Sequence, residues 1–349
     1  DINKDQWGNY ALGGWLVNGA KPNISKEGAL ISEYLTWEKT QTMDIGLDLG
    51  MLNNRLNITF DYFQRKSKDM VGPAPELPSI LGTSVPKVNN LDMTSKGWEV
   101  QINWRDQIRD FKYGATLSLS DNKVVIDKYP NPSNTILDKD NKIVYYPGAV
   151  VGDIWGFETV GIAKTDQQMQ DHLASMPKGA QDAIGSNWGA GDIMYKDLNN
   201  DGKISRGNKT LADHGDLKVI GNNTPRYNFG LNLDAAWKGF DLKLFFQGTL
   251  KRDYMPASGA EGMMFWGAVG YWQTNFFEPH LDYFRPTDTS NPLGPNVNAY
   301  YPRPLENDRN RQSQSGYLQN AAYCRLKNLT LGYTLPASLT QKFYVNNLR

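Results

Sequence analysis

The sequence predicts an all-β chain: an antiparallel, up-and-down transmembrane β-barrel segment with long extracellular loops. Three observations point there. Segments of about ten residues alternate apolar with polar or glycine, as a strand does when one face meets lipid. Short and very long connections follow one another in strict alternation. Trp104 and Trp237 flank two of the short turns, where an interfacial aromatic girdle belongs.

The clearest segment is Met43-Asp44-Ile45-Gly46-Leu47-Asp48-Leu49-Gly50-Met51, in which every odd position is apolar. The same beat returns at Leu56/Ile58/Phe60/Tyr62, Trp98/Val100/Ile102/Trp104 and Phe111/Tyr113/Ala115/Leu117/Leu119. It returns again at Tyr227/Phe229/Leu231/Leu233, Phe240/Leu242/Leu244/Phe246 and Leu329/Leu331/Tyr333/Leu335. Because successive side chains point to opposite faces, the other register must look into the lumen. That register holds Asp44, Asp48, Asn57, Thr59, Glu99, Gln101, Asn103, Asn228, Asn232 and Asp234.

Asn53-Asn54 closes the first hairpin, a turn within 106–110 the second, and Lys238-Gly239 the third. The long connections are expected at 67–96, 121–226 and 249–320, all at one end. Within the second, 166–184 suits a short helix whose Met169/Leu173/Met176 stripe packs locally. A soluble sandwich would instead carry turns of comparable length at both ends.

Composition narrows the classes. With 37 basic and 37 acidic residues, the overall charge offers no electrostatic reason to expect nucleic acid or an anionic membrane surface as a partner. A single cysteine, Cys324, excludes an internal disulfide framework and a Cys-rich metal site. His172, His214 and His280 are far apart, and no metalloprotease, nucleophile-elbow, phosphate-loop or dinucleotide motif occurs, so no enzyme is expected. Asp1-Ile2-Asn3-Lys4 opens without a signal peptide, and seven or so strands cannot close a large barrel. The chain, 1–349, is therefore expected to be one partial barrel domain of a longer protein.

Several ordered motifs stand out: Trp37-Glu38-Lys39-Thr40-Gln41-Thr42-Met43-Asp44, Ser95-Lys96-Gly97-Trp98-Glu99-Val100, and the most specific, Gly191-Asp192-Ile193-Met194-Tyr195-Lys196-Asp197-Leu198-Asn199-Asn200-Asp201-Gly202. Pro225-Arg226-Tyr227, Lys238-Gly239-Phe240-Asp241-Leu242 and Tyr323-Cys324-Arg325-Leu326-Lys327-Asn328-Leu329 follow. In these motifs and their order the chain resembles the SusC/RagA family of TonB-dependent outer-membrane transporters. The resemblance implies a 22-stranded barrel with an N-terminal plug, of which this chain would be the C-terminal barrel portion without plug or closing strands. It implies active import of oligosaccharides or peptides across the outer membrane of a Bacteroidetes-like Gram-negative bacterium. The implied partners are a SusD-like lipoprotein lid, the TonB complex through the absent N-terminal region, and outer-membrane lipid.

Two local features remain open. Asp197, Asn199, Asp201, Gly202 and the Lys203 carbonyl match the start of an EF-hand-type loop, but Asn208 stands where a bidentate Glu belongs. The readings are a turn hydrogen-bonded to its own backbone and a weak Ca²⁺ site; no cofactor is required by either. Trp155, Phe157, Trp188, Trp266 and Trp272 in the long connections are candidate sugar-stacking platforms, with loop packing as the competing role. The cluster Met263-Met264-Phe265-Trp266 with Tyr271-Trp272 is the expected lid or cargo surface. A soluble or cell-surface carbohydrate-binding β-domain with a calcium-stabilised loop is the alternative to the transporter.

Overall fold

A computed structural model describes residues 35–72, 87–139, 141–256, 278–305, 309–346 and 348–349, with Gly19 and two short strands, Gly8–Ala11 and Asn23–Lys26. Seven long strands form its frame: β1 (Lys39–Met51), β2 (Leu56–Gly72), β3 (Val88–Ile108), β4 (Phe111–Lys128), β5 (Arg226–Trp237), β6 (Phe240–Lys251) and β7 (Tyr323–Tyr333). They lie in one antiparallel sheet in which every strand pairs with its neighbours in sequence. The sheet is open at β1 and β7, so these strands form an unclosed barrel wall.

The alternation explains the strands, and exposure shows what it serves. Ile45, Leu47 and Leu49 on β1 stand exposed on one face, as do Leu329 and Leu331 on β7, the last at 70%. So continuous an apolar face is not tolerated in water. It is the lipid-facing surface, and the soluble-domain alternative would have to bury it.

Turn chemistry sets the hairpins. Lys238 and Gly239 both have positive φ, 45° and 91°, and join Trp237 to Phe240 in the two-residue turn whose twist suits a hairpin. Leu52, Asn53 and Asn54 turn through left-handed backbone between β1 and β2, where Asn is tolerated best. Arg109 and Asp110 link β3 to β4, a tighter turn than the 106–110 stretch because the pairing runs on to Ile108 and Phe111. Trp104 pairs with Leu56 beside the first turn, and Trp237 with Phe111 and Phe240 at the other two.

At the far end the strands outrun the sequence-based boundaries of the loops at 67–96, 121–226 and 249–320. Pairing persists to Gly72 with Val88 and to Arg226 with Lys251, and Lys128 still opposes Asp92. Beyond the lipid an antiparallel ladder no longer needs an apolar face, so strands continue where the hydrophobic alternation has stopped. On β7, Leu326 and Leu329 both face outward although their spacing is odd. The register shifts between Phe245/Asn328 and Phe246/Leu326, leaving Lys327 as a bulge that restores the alternation.

The buried core lies beyond the lipid-facing band, in the long connections and the outer ends of the strands. Ile126, Ile136, Trp155, Phe157, Met169, Trp188, Ile193, Tyr195, Ile204, Leu217, Tyr301 and Tyr317 pack together there. Short ribbons organise it: Asp153–Phe157 with Leu217–Asn222, and Thr159–Ile162 with Ile193–Tyr195. The helix α1 (Asp166–Ala174) is capped by the Thr165 side chain, which accepts from Gln168 N at 3.1 Å. It is shorter than 166–184 because Pro177 follows, and Met169 and Met176 are buried as local packing.

Candidate functional site

The face opposite the lipid is mainly polar. Thr59 Oγ1 donates to Asp48 Oδ1 across β1 and β2 at 2.7 Å. Asn103 Nδ2 donates to Thr116 Oγ1 at 3.1 Å, and Thr249 Oγ1 to Asn228 Oδ1 at 2.8 Å. Two open troughs run along this surface. The one nearer the turns is charged, lined by Arg55, Arg105, Asp106, Lys112, Asp234 and Lys243, with Arg55 paired to Asp106 at 3.2 Å. The other is largely neutral or acidic, with Thr59, Asp61, Glu99, Gln101, Asn228 and Gln247.

Thr59, Glu99, Gln101, Asn228, Asn232 and Asp234 thus line the troughs, as the inward register leads one to expect. Asp48 and Asn103 join them through Thr59 and Thr116, and Asp44 and Asn57 keep the same parity on β1 and β2. The inward residues expected from the sequence include none on β4 or β6, and one of those on β6 is aromatic. Phe245 sits in the polar register of β6 between Lys243 and Gln247 and lines both troughs. The signal was present in Leu244-Phe245-Phe246, where two aromatics in succession must point to opposite faces. Gly230 beside it leaves room for the ring, since a Cβ there would already lie 3.4 Å from Phe245 Cε2.

The aromatic residues of the outer layer are placed differently. Trp155, Phe157 and Trp188 are buried in the loop core rather than displayed, Phe157 at 1% exposure. Phe157 packs on Tyr195 with ring centroids 5.3 Å apart, Trp155 on His214 at 5.6 Å, and Trp188 edge-on to Tyr195 at 6.4 Å. Trp266, Trp272 and the cluster at 263–272 lie outside the described residues.

What holds this layer together is a buried carboxylate. Asp192, fully buried, accepts from Arg303 Nε at 2.7 Å and Nη2 at 2.5 Å, from Asn310 Nδ2 at 2.9 Å, and from the Gly189 amide at 3.0 Å. Arg309 Nη1 approaches at 3.4 Å while its guanidinium lies over Trp188. Tyr195 and Tyr317 hydroxyls donate to the Arg309 and Asn310 carbonyls at 2.6 and 2.9 Å. Beneath the layer, Arg226 grips Asp121 with a two-pronged ion pair that joins β5 to β4 within the wall. At the surface Glu158 bridges Lys218 and Lys196, and the hydrogen bond from Lys218 comes first in holding its carboxyl below the usual range.

The loop at Asp197 closes on its own amides. Asp197 Oδ2 accepts from Gly202 N at 2.8 Å, Asn199 Oδ1 from Asp201 N at 3.0 Å, and Asp201 Oδ1 from Lys203 N at 3.1 Å. Asp216, buried beneath, takes the Leu198 and Ser205 amides at 2.8 Å each, and burial pushes its carboxyl up from the ordinary range. Among the described residues, no three His, Cys, Asp or Glu side chains gather as a metal site. Asn208 turns instead to Asp213 Oδ2 at 2.7 Å. Adding Ca²⁺ or a chelator to the full-length protein is expected to leave its unfolding temperature unchanged. A Ca²⁺-dependent rise would instead assign an ion to Asp197, Asn199, Asp201 and the Lys203 carbonyl.

With the wall, the lumenal troughs and the outer layer in view, the chain matches the TonB dependent receptor-like, beta-barrel family over residues 6–348. It belongs to that family. TonB-dependent receptor P3 of Formosa agariphila is 28% identical over 326 residues, covering 91% of this chain and 29% of that protein. TonB-dependent receptor SusC of Bacteroides thetaiotaomicron is 25% identical over 126 residues, covering 36% of this chain and 12% of SusC. Among solved structures, the RagAB peptide transporter superposes with a TM-score of 0.67 at 20% identity, covering 96% of this chain and 32% of that one. At that identity the likeness is one of fold. The chain spans 29% of the length of TonB-dependent receptor P3 and 32% of the RagAB chain.

Proposed function

We propose that this chain forms barrel wall and outer loop layer of an active importer in the outer membrane of a Bacteroidetes-like Gram-negative bacterium. Its cargo is an oligosaccharide or peptide, delivered beneath a SusD-like surface lipoprotein, with energy from TonB reaching parts of the receptor outside this chain. The observation that carries the reading is the two-faced sheet: a lipid-facing apolar surface backed by a water-facing lumen of amides, hydroxyls and carboxylates. Such a lumen forms reversible hydrogen bonds with polar cargo and traps none of it. Phe245 adds one flat apolar face on the path, the kind on which a sugar ring or peptide side chain rests. Amide, hydroxyl and carboxylate groups in the lumen suit either class of cargo, since both are polar and rich in hydrogen-bonding groups.

The test is genetic and biochemical. Deleting the full-length gene is expected to abolish growth on at least one oligosaccharide or peptide mixture while growth on the corresponding monomers persists. A surface lipoprotein is expected to co-purify with the tagged receptor from outer membranes. Unchanged growth on every oligomer, with no lipoprotein attached, would remove the import reading.

A further inference from the structure

We infer that the outward face of β2, β3 and β4, just beyond the lipid band, is a docking surface for the phosphate-bearing glycolipid of the outer leaflet, held by Lys66, Lys96 and Lys123. The inference rests on the outer-membrane placement proposed above. It begins with the register. Tyr62 opposes Trp98 on the lipid-facing side, and the next outward row, Gln64–Lys96–Lys123, crosses all three strands. Lys66 and Thr94 follow in the row beyond. A membrane strand of about 9–11 residues counted from Leu56 ends at this level, on the side of the long loops. These lysines therefore sit where headgroups begin, above an aromatic pair that marks the interface.

Among the described residues, no carboxylate pairs with these lysines. Lys66, Lys96 and Lys123 are exposed and line one shallow hollow with Thr94 and Asp127. Asp127 is the only carboxylate in that lining, and it is engaged by the Thr94 hydroxyl at 2.5 Å. Lys96 and Lys123 stand directly opposite each other across β3 and β4. Like charges in that position destabilise a sheet unless an anion lies between them. The face is continuous with the lipid-facing band and turned away from the lumen, so the complementary anion is a lipid phosphate rather than cargo.

The experiment uses the full-length receptor, confirmed in the outer-membrane fraction and reconstituted into phosphatidylcholine vesicles carrying diphosphoryl lipid A or its dephosphorylated form. Retained glycolipid is then weighed by native mass spectrometry after mild extraction. The wild type is expected to retain diphosphoryl lipid A and not the dephosphorylated form, with millimolar inorganic phosphate failing to compete. Each lysine near an anionic surface strengthens adsorption roughly fivefold, so K66Q/K96Q/K123Q should retain over about tenfold less. The corresponding triple arginine variant should keep the lipid. Equal retention by wild type and the glutamine triple, or no discrimination by the wild type between the two lipids, overturns the docking surface while leaving the importer standing. A receptor absent from the outer-membrane fraction overturns both.

Discussion

Replacing Asp192 with alanine is expected to loosen the outer loop layer while the barrel wall stays folded. The carboxylate is fully buried and gathers Arg303, Asn310 and the Gly189 amide, with Arg309 close by. Removing one partner of a buried ion pair costs about 3–5 kcal/mol, chiefly because the remaining charge is left uncompensated. Here the stranded groups are Arg309 and Arg303, and the Arg303 side chain is 31% exposed and still donates to the Asn187 carbonyl at 3.0 Å, so water relieves part of that cost. Asn310 would also lose its anchor, and with it the Ile193 amide that Asn310 Oδ1 accepts at 3.1 Å. The layer's core of Phe157, Tyr195 and Tyr317 meets the wall at Leu91 and Ile126, on the ends of β3 and β4 beyond the lipid band, so the loss should spare the membrane-spanning part of the sheet. Limited proteolysis of the full-length variant in native outer membranes checks this: new cleavage is expected within 129–225 and 278–322, with wild-type yield of inserted protein. Asp192→Asn, which keeps the shape and loses the charge, should fall between. If Asp192→Ala resists protease as the wild type does, Asp192 is not the hub.

The strength of that hub was invisible in the sequence, although the residue was not. Asp192 belongs to the motif Gly191-Asp192-Ile193-Met194-Tyr195 on which the family resemblance leaned, yet its partners lie more than a hundred positions away at Arg303, Arg309 and Asn310. Alternation is a local signal, which is why all seven wall strands, and the inward residues of β1, β2, β3 and β5, are legible from it. Where the lipid ends, so does the alternation, and the extra pairs such as Gly72 with Val88 went unread for that reason. The bulge at Lys327 was legible in principle, since Leu326 and Leu329 break parity within one strand. Loop aromatics gave the least: nothing local distinguishes Trp155 or Trp188 buried in a core from the same residue awaiting a sugar.

Leu47→Arg is expected to prevent stable insertion of the full-length protein, whereas Asp48→Asn should insert as the wild type does. The two residues are adjacent on β1 and differ only in the face they occupy. Leu47 is 54% exposed on the apolar side, opposite Phe60 and in line with Val100 and Leu119. An arginine at the bilayer midplane costs about 2–4 kcal/mol, falling towards zero at the interfaces, so Leu47 near mid-strand should feel most of that penalty. Asp48 faces the lumen, where it accepts from Thr59 Oγ1 at 2.7 Å. An asparagine there keeps an oxygen in place for that hydrogen bond, and water reaches the rest of the side chain. Heat-modifiable mobility of the protein in outer membranes reads the outcome directly, since a folded barrel resists unfolding by detergent until it is heated. The contrast between neighbours is what makes the measurement decisive, because strand propensity, loop folding and expression are shared by both variants. Equal insertion of the two would mean that the exposed face of Leu47 and Leu331 does not meet lipid, and the sheet would need some other cover for its apolar side.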